Sequence, residues 1–140
     1  MKTLLSLLLL CSMAGCLTMP PPLEFTPDPG WETRSGQLQF TGRERSVIGE
    51  VLISSGSATN FYFTFSAGPG FPLLEMRREG DELAARGAFA RGRWSGKTSE
   101  TPEHLRPWLA WAEQAISHRR AGRHEFAAPG TGERFVLIAR

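Results

Sequence analysis

Few side chains in this sequence are of types that do chemistry, and their spacing limits what they could do. The histidines are His104, His118 and His124. A nucleophile–base–acid set needs a serine, a histidine and a carboxylate to converge. Here all three histidines fall in or beside one helical segment, Asp28 sits in a proline-rich stretch, and Asp81 sits in a tight turn. Ser95, within Arg93-Trp94-Ser95-Gly96, has the outline of a nucleophile elbow but lacks the strand–Gly-x-Ser-x-Gly–helix context. Trp94 reads there as an aromatic anchoring a loop. Three histidines without cysteine or paired aspartate do not compose a metal site. Gly68-Pro69-Gly70 is not followed by the Lys-Ser/Thr of a phosphate loop. The expectation is a protein that is not an enzyme, with no catalytic residue, no metal and no cofactor.

The residue with the sharpest chemical signature is Cys16. Lys2 supplies a positive charge, Leu4 to Leu10 form an apolar run broken only by Ser6, and Met13-Ala14-Gly15-Cys16 follows. That is the order of a signal peptide. The run is too short to span a bilayer, which takes roughly 20 apolar residues. Ala14-Gly15-Cys16 resembles the bacterial lipobox, with Met13 where that motif usually has leucine. The resemblance implies cleavage before Cys16, a diacylglycerol thioether on its sulfur and a fatty acyl group such as palmitate on its amine. One acyl chain holds a protein only reversibly, and two or three hold it firmly. Leu17 after the cysteine, by resemblance to enterobacterial sorting, implies the periplasmic face of the outer membrane.

Cleavage would leave Cys16 as the sole cysteine, so the folded part would have no disulfide. The net charge is only +2, and Lys2 and Lys97 are the only lysines among 16 basic residues. The arginines alternate with acids, as in Arg43-Glu44-Arg45 and Arg77-Arg78-Glu79. That reads as a solvated surface and not as a nucleic-acid footprint. The densest basic stretch, His118-Arg119-Arg120 with Arg123 and His124, reads as the favourably charged end of a helix, with anionic headgroups as its alternative partner.

Three segments follow: residues 1–15 as signal peptide, 16–30 as acylated cysteine and proline-rich tether, and 31–140 as one β-rich domain with a single helix. Five prolines between Leu17 and Gly30 favour extended chain. Strands are predicted from alternation at Gln37–Thr41, from β-branched residues at Val47–Ile53, and from the shared face of Phe61, Phe63 and Phe65. Further strands are predicted at Leu73–Arg77, at Leu83–Phe89 and at Phe135–Ile138. Short connections make these a meander. A helix is predicted near residues 102–120, with Leu105, Trp108, Leu109, Ala112, Ala115 and Ile116 as its apolar stripe. Pro107 demands either a kink or a short turn at 102–105 leading into a helix that begins near Arg106.

The domain resembles the outer-membrane lipoprotein receptor family (LolB and its relatives). The likeness lies in the lipobox, the strand opening Arg34-Ser35-Gly36-Gln37-Leu38-Gln39-Phe40, the turn Ala67-Gly68-Pro69-Gly70-Phe71 and the helix opening Leu105-Arg106-Pro107-Trp108-Leu109. It implies an α+β fold, a curved antiparallel half-barrel with one helix packed in its concave face. It also implies an apolar residue protruding from the turn, here Phe71. In this chain the strands after the helix are fewer than in that family.

Taken together, the sequence predicts a membrane-anchored lipoprotein that binds acyl chains or lipid, or assists lipoprotein localisation. Phe61, Phe63, Phe65, Phe71, Leu105, Trp108 and Leu109 would then form the lipid site. The alternative is a structural or accessory lipoprotein docking on an envelope protein. Which holds depends on whether the space between the Phe61–Phe65 stripe and the helix is open or filled.

Overall fold

The protein was analysed as a computed structural model that describes residues 21–69 and 71–140. The predicted signal peptide and Cys16 lie outside the described residues. The strands are β1 (Glu32–Thr41), β2 (Ser46–Ser57), β3 (Asn60–Ser66), β4 (Pro72–Glu79), β5 (Glu82–Gly87) and β6 (Gly92–Lys97). Helix α1 (Arg106–Ser117) follows, then β7 (Gly122–Ala127) and β8 (Arg134–Ala139). They build one sheet in the order β6-β5-β4-β3-β2-β1-β8-β7. β1 to β6 are a meander, since each link is too short for anything but an antiparallel return. The helical connection then carries the chain from the β6 edge to the opposite side, where β8 pairs antiparallel with β1.

This architecture corrects the expected class. Of the described residues 51% are strand and 13% helix, in an open and uncurled eight-stranded sheet, hence mostly β and not an α+β half-barrel cupping a helix. Two unpredicted strands, β6 and β7, make the difference by widening the sheet at both edges. The inward positions of β6 are Trp94 and Gly96, and those of β7 include His124 and Phe126. Neither strand has the apolar alternation that marks a strand in sequence. Gly122, just past the span predicted as helix, opens β7 with φ +117°. The helix is shorter than expected at both ends. A turn precedes it, with the Leu105 and Arg106 amides both donating to the Pro102 carbonyl, and Pro107 lies within its first two positions. There its missing N–H has no intrahelical partner to lose.

The register divides the side chains between two faces. Leu38, Phe40, Val51, Ile53, Phe61, Phe63, Phe65, Leu74, Met76, Leu83, Ala85, Phe135 and Leu137 share the inner face and are buried. The helix adds Trp108, Trp111, Ala112, Ala115 and Ile116 to the same core. Arg34, on the inner face near the start of β1, donates to the Ala115 and His118 carbonyls at 2.9 and 3.2 Å. It thereby satisfies orphan acceptors at the helix C-terminus. Arg78 of β4 pairs with Glu113 of the helix.

The connections β1–β2, β3–β4, β5–β6 and β7–β8 gather at one end of the sheet, called here the Phe71 end. The β2–β3 and β4–β5 turns and the C-terminus of α1 lie at the other, the Gly80 end.

Candidate functional site

The seven residues expected to contact lipid separate into two groups. Phe61, Phe63, Phe65, Leu105 and Trp108 are buried, and Leu109 is partly buried against them. Trp108 lies 4.8 Å from Phe40, 5.4 Å from Phe65, 5.2 Å from Phe89 and 4.9 Å from Phe135, centroid to centroid. Trp111 meets Phe63 edge-on at 5.3 Å. These are the spacings of rings in direct contact. The phenylalanine stripe and the helix fill each other, so the space that would hold an acyl chain is occupied by side chains. Phe71 alone of the seven stands in solvent, at 68% exposure.

The clefts lie at the ends of the sheet. One of about 360 Å³ at the Phe71 end is lined by Arg43, Arg45, Phe89, Arg91, His104 and Glu133, among others. Burial pushes the Glu133 carboxyl above its ordinary value, and Arg43 pulls it partly back. A cleft of about 200 Å³ lies between the end of α1 and β7, with His118 and His124 on its walls. The two histidine rings are 6.2 Å apart, and each has a ring nitrogen engaged with a backbone carbonyl, that of Gln114 for His118 and of Arg120 for His124. Ser95 is on the opposite face of β6 from Trp94. Asp81 accepts a hydrogen bond from the Thr98 hydroxyl at 2.9 Å. Among the described residues no group of three or more His, Cys, Asp or Glu side chains could hold a metal ion.

What the sequence reading missed lies on the outer face. Residues 21–30, expected as part of a tether, lie with Trp31 across the outer face from β6 to the end of β2 as a strap. Leu23 is buried, the Pro21 carbonyl accepts from Arg93 of β6 at 3.5 Å, and the Glu24 carbonyl accepts from Arg77 of β4. Phe25 stacks on Tyr62 of β3 at 4.2 Å with the rings 8° from parallel. Trp31 meets Phe25 at 5.4 Å and lies flat enough on Gly56 that a Cβ there would come within 2.7 Å of its indole nitrogen.

A buried polar group sits on the same face. Glu75 of β4 and Arg86 of β5 are paired in register and joined by an ion pair, and both are almost fully buried. Tyr62 donates its hydroxyl to the other oxygen of Glu75 at 2.8 Å. Burial, then the hydrogen bond to Glu75 and that carboxylate's charge, hold the Tyr62 hydroxyl far above its ordinary value, with Arg86 opposing them. The only hint in sequence is apolar Leu23, Phe25 and Trp31 set among prolines, with a charged residue in the middle of two predicted strands.

The other half of the outer face, from Ile48 and Leu52 of β2 across β1, β8 and β7, is not covered by the described part of the strap. Ile48, Leu52 and Ile138 are exposed there at 58, 44 and 43%. Gln37, Gln39 and Ser35 of β1 lie between them. Neither a scan against protein-family models nor a search of curated proteins finds a match to this chain.

Proposed function

We propose that the chain is a non-catalytic lipoprotein of the bacterial envelope. In this reading it is anchored by acylated Cys16 on the periplasmic face of the outer membrane and acts through its surface by docking on an envelope protein. The observation that carries this choice is the filled core. With Trp108 packed ring against ring on Phe40, Phe65 and Phe135, an acyl chain has no room beneath the helix. Binding is then left to exposed features. Three of the four large apolar side chains exposed among the described residues, Ile48, Leu52 and Ile138, share one half of the outer face. The reading of the chain as a handler of lipid or lipoproteins keeps one supporting observation, the exposure of Phe71 at the β3–β4 turn.

One experiment separates the readings. The full chain is expressed in a bacterial host with a clickable palmitate analogue and a photo-crosslinking residue at Leu52. Label that is lost in Cys16→Ser, with one discrete crosslinked protein adduct, is the expected result. Label without an adduct, together with lipid co-purifying with the anchored chain, would move the assignment to lipid handling. A chain that takes up no label would overturn the anchor.

A further inference from the structure

We infer that β7, an open edge of the sheet, pairs antiparallel with β7 of a second copy of this chain. Arg123 of each copy then stands opposite Glu125 of the other, and His124 lies on the two-fold axis. The pairing goes beyond the proposed function and does not depend on the anchor.

An edge strand keeps a row of amides and carbonyls free, which is a template for one more strand. Among the described residues the sheet ends at β7. The direction of its main chain follows from the β7–β8 hairpin. The Ala128 amide donates to the Glu133 carbonyl at 2.9 Å, one step beyond the Ala127–Arg134 pair. Residues along an antiparallel strand alternate in the side to which they bond. Phe126 and His124 therefore bond toward β8, and Arg123, Glu125 and Ala127 present their amides and carbonyls to the open edge. The side chains of Arg123, Glu125 and Ala127 are exposed on the outer face, whereas His124 and Phe126 are half-buried on the inner one.

Side chains directly opposite in an antiparallel pair share a face, so outer positions must meet outer positions. Centring the two-fold on Arg123 sets that arginine against itself, and centring it on Glu125 sets the carboxylate against itself. Like charges directly opposite are unfavourable. Centring on His124 sets Arg123 against Glu125 on both sides of the axis, each pair exchanging two main-chain hydrogen bonds. Glu125 is ionised for this role. Hydrogen bonds from Arg134 at 2.8 Å and from Arg123 at 2.6 Å hold its carboxyl below the ordinary range. In the pair it has Arg134 of its own chain on one side and Arg123 of the second copy on the other. The same register sets Phe126 opposite Gly122 of the second copy, where the space of a Cβ is open. An aromatic beside an edge glycine pins register in sheets.

The other edge is unlike it. The Thr98 amide donates to the Asp81 carbonyl at 2.8 Å, so Arg93, Ser95 and Lys97 of β6 face outward. That row holds two cations and no acid, and a copy of itself would meet cation with cation. The Lys97 amide is already taken by Glu100 at 3.3 Å. Charge thus guards β6 and matches β7 to itself. The two-fold is perpendicular to the sheet, so the outer faces of the copies lie side by side. Exposed Ile138, the register partner of Arg123, then flanks the junction from both copies.

The test uses the full chain in detergent, with its assembly read by native mass spectrometry. A dimer is expected. Arg123→Glu and Glu125→Arg should each weaken it on the order of tenfold, since two cross-strand charge pairs turn repulsive at once. Mixing the two variants should restore a dimer with one copy of each, because an acidic strand then faces a basic one. A role confined to the stability of one chain could not be rescued by mixing. The register is read by disulfide formation. Opposed residues that do not share main-chain hydrogen bonds have Cα atoms about 4.5 Å apart, within reach of a disulfide. His124→Cys should therefore crosslink the copies under mild oxidation, and Phe126→Cys should not. A monomeric parent without a crosslink at position 124 overturns the pairing. A dimer that survives both charge reversals, or that crosslinks equally from 124 and 126, overturns the register. Growth beyond two copies means that β6 pairs with β7, and it overturns the two-fold arrangement.

Discussion

The helix and the strap cover opposite faces of one sheet by different physics. The helix brings a contiguous apolar stripe, and Trp108 alone contacts rings from β1, β3 and β8. Burial of that area is non-directional and large, so the helix needs only a few polar fastenings, such as Arg34 at its C-terminus and Arg78 on Glu113. The strap has too few apolar residues for this. It is held by main-chain carbonyls bound to Arg77 and Arg93, by one stacked ring and by one buried leucine. The sheet beneath it carries a tyrosine, a glutamate and an arginine where the other face has phenylalanines. The lesson is that a sheet can keep a polar interior under an extended segment, provided every charge there is paired.

The largest effect that separates the two faces is expected from Trp108→Ala. Truncating an aromatic in a close-packed core costs about 3–5 kcal/mol. Urea denaturation should show either that loss or no cooperative transition at all. A loss under about 1 kcal/mol would mean that the helix face is loosely packed, against the general density of interiors. Next comes Glu75→Ala. Removing one partner of a buried ion pair costs about 3 kcal/mol because the other charge remains. The same change removes the hydrogen bond and charge that raise the Tyr62 hydroxyl. Tyr62 is the only tyrosine in the chain, so its ultraviolet titration is read without overlap. It should fall toward the ordinary value of about 10.

Phe25→Ala probes the strap itself. Loss of the stacked ring should cost about 1–2 kcal/mol. It should also lower the Tyr62 titration, since burial is the leading cause of the shift. The sign follows from that shift. A tyrosine raised in the folded state contributes stability that is complete below its unfolded value of about 10 and is lost as pH rises through the folded value. The wild-type chain should therefore hold this contribution through neutral pH and lose it only in strong alkali, with Phe25→Ala losing it earlier. An unchanged titration in Phe25→Ala would return residues 21–30 to a free tether.

These two coverings were not equally legible in sequence. The phenylalanine stripe at 61, 63 and 65 and the helix stripe at 105, 108, 112, 115 and 116 announce themselves by periods of two and near 3.6, and the structure packs the stripes together. The turn at 102–105 before a helix from Arg106 was one of two arrangements that Pro107 allowed, and it is the one found. Strands β6 and β7 were not legible, because an edge strand half in solvent needs no apolar alternation, and Arg93-Trp94-Ser95-Gly96 has none. With them the predicted half-barrel became an open sheet. The strap was illegible for a related reason. Proline runs specify extended chain but say nothing about what it lies on, and the Tyr62–Glu75–Arg86 group is assembled from three strands that only the register brings together. Whether the aromatic face was a cavity or a core could not be read from periodicity either, because both need the same stripes.

The smallest change in stability is expected where neither covering reaches. Ile48→Ser, Leu52→Ser and Ile138→Ser alter side chains that stand 58, 44 and 43% exposed on β2 and β8. Each should leave the urea midpoint within about 0.5 kcal/mol of the parent, as surface substitutions do. If this half of the sheet docks an envelope protein, the same three changes should remove the crosslinked adduct formed from a photo-reactive residue at Gln39, which lies between Ile48 and Val136 in register. The adduct should survive Phe25→Ala, because the strap covers the other half. The pairing of effects carries the argument. A patch retained for packing would lose stability and keep its partner, whereas a patch retained for docking keeps its stability and loses the partner. Loss of stability in all three would make this half of the face a continuation of the core and would leave the Phe71 end as the surface through which the protein works.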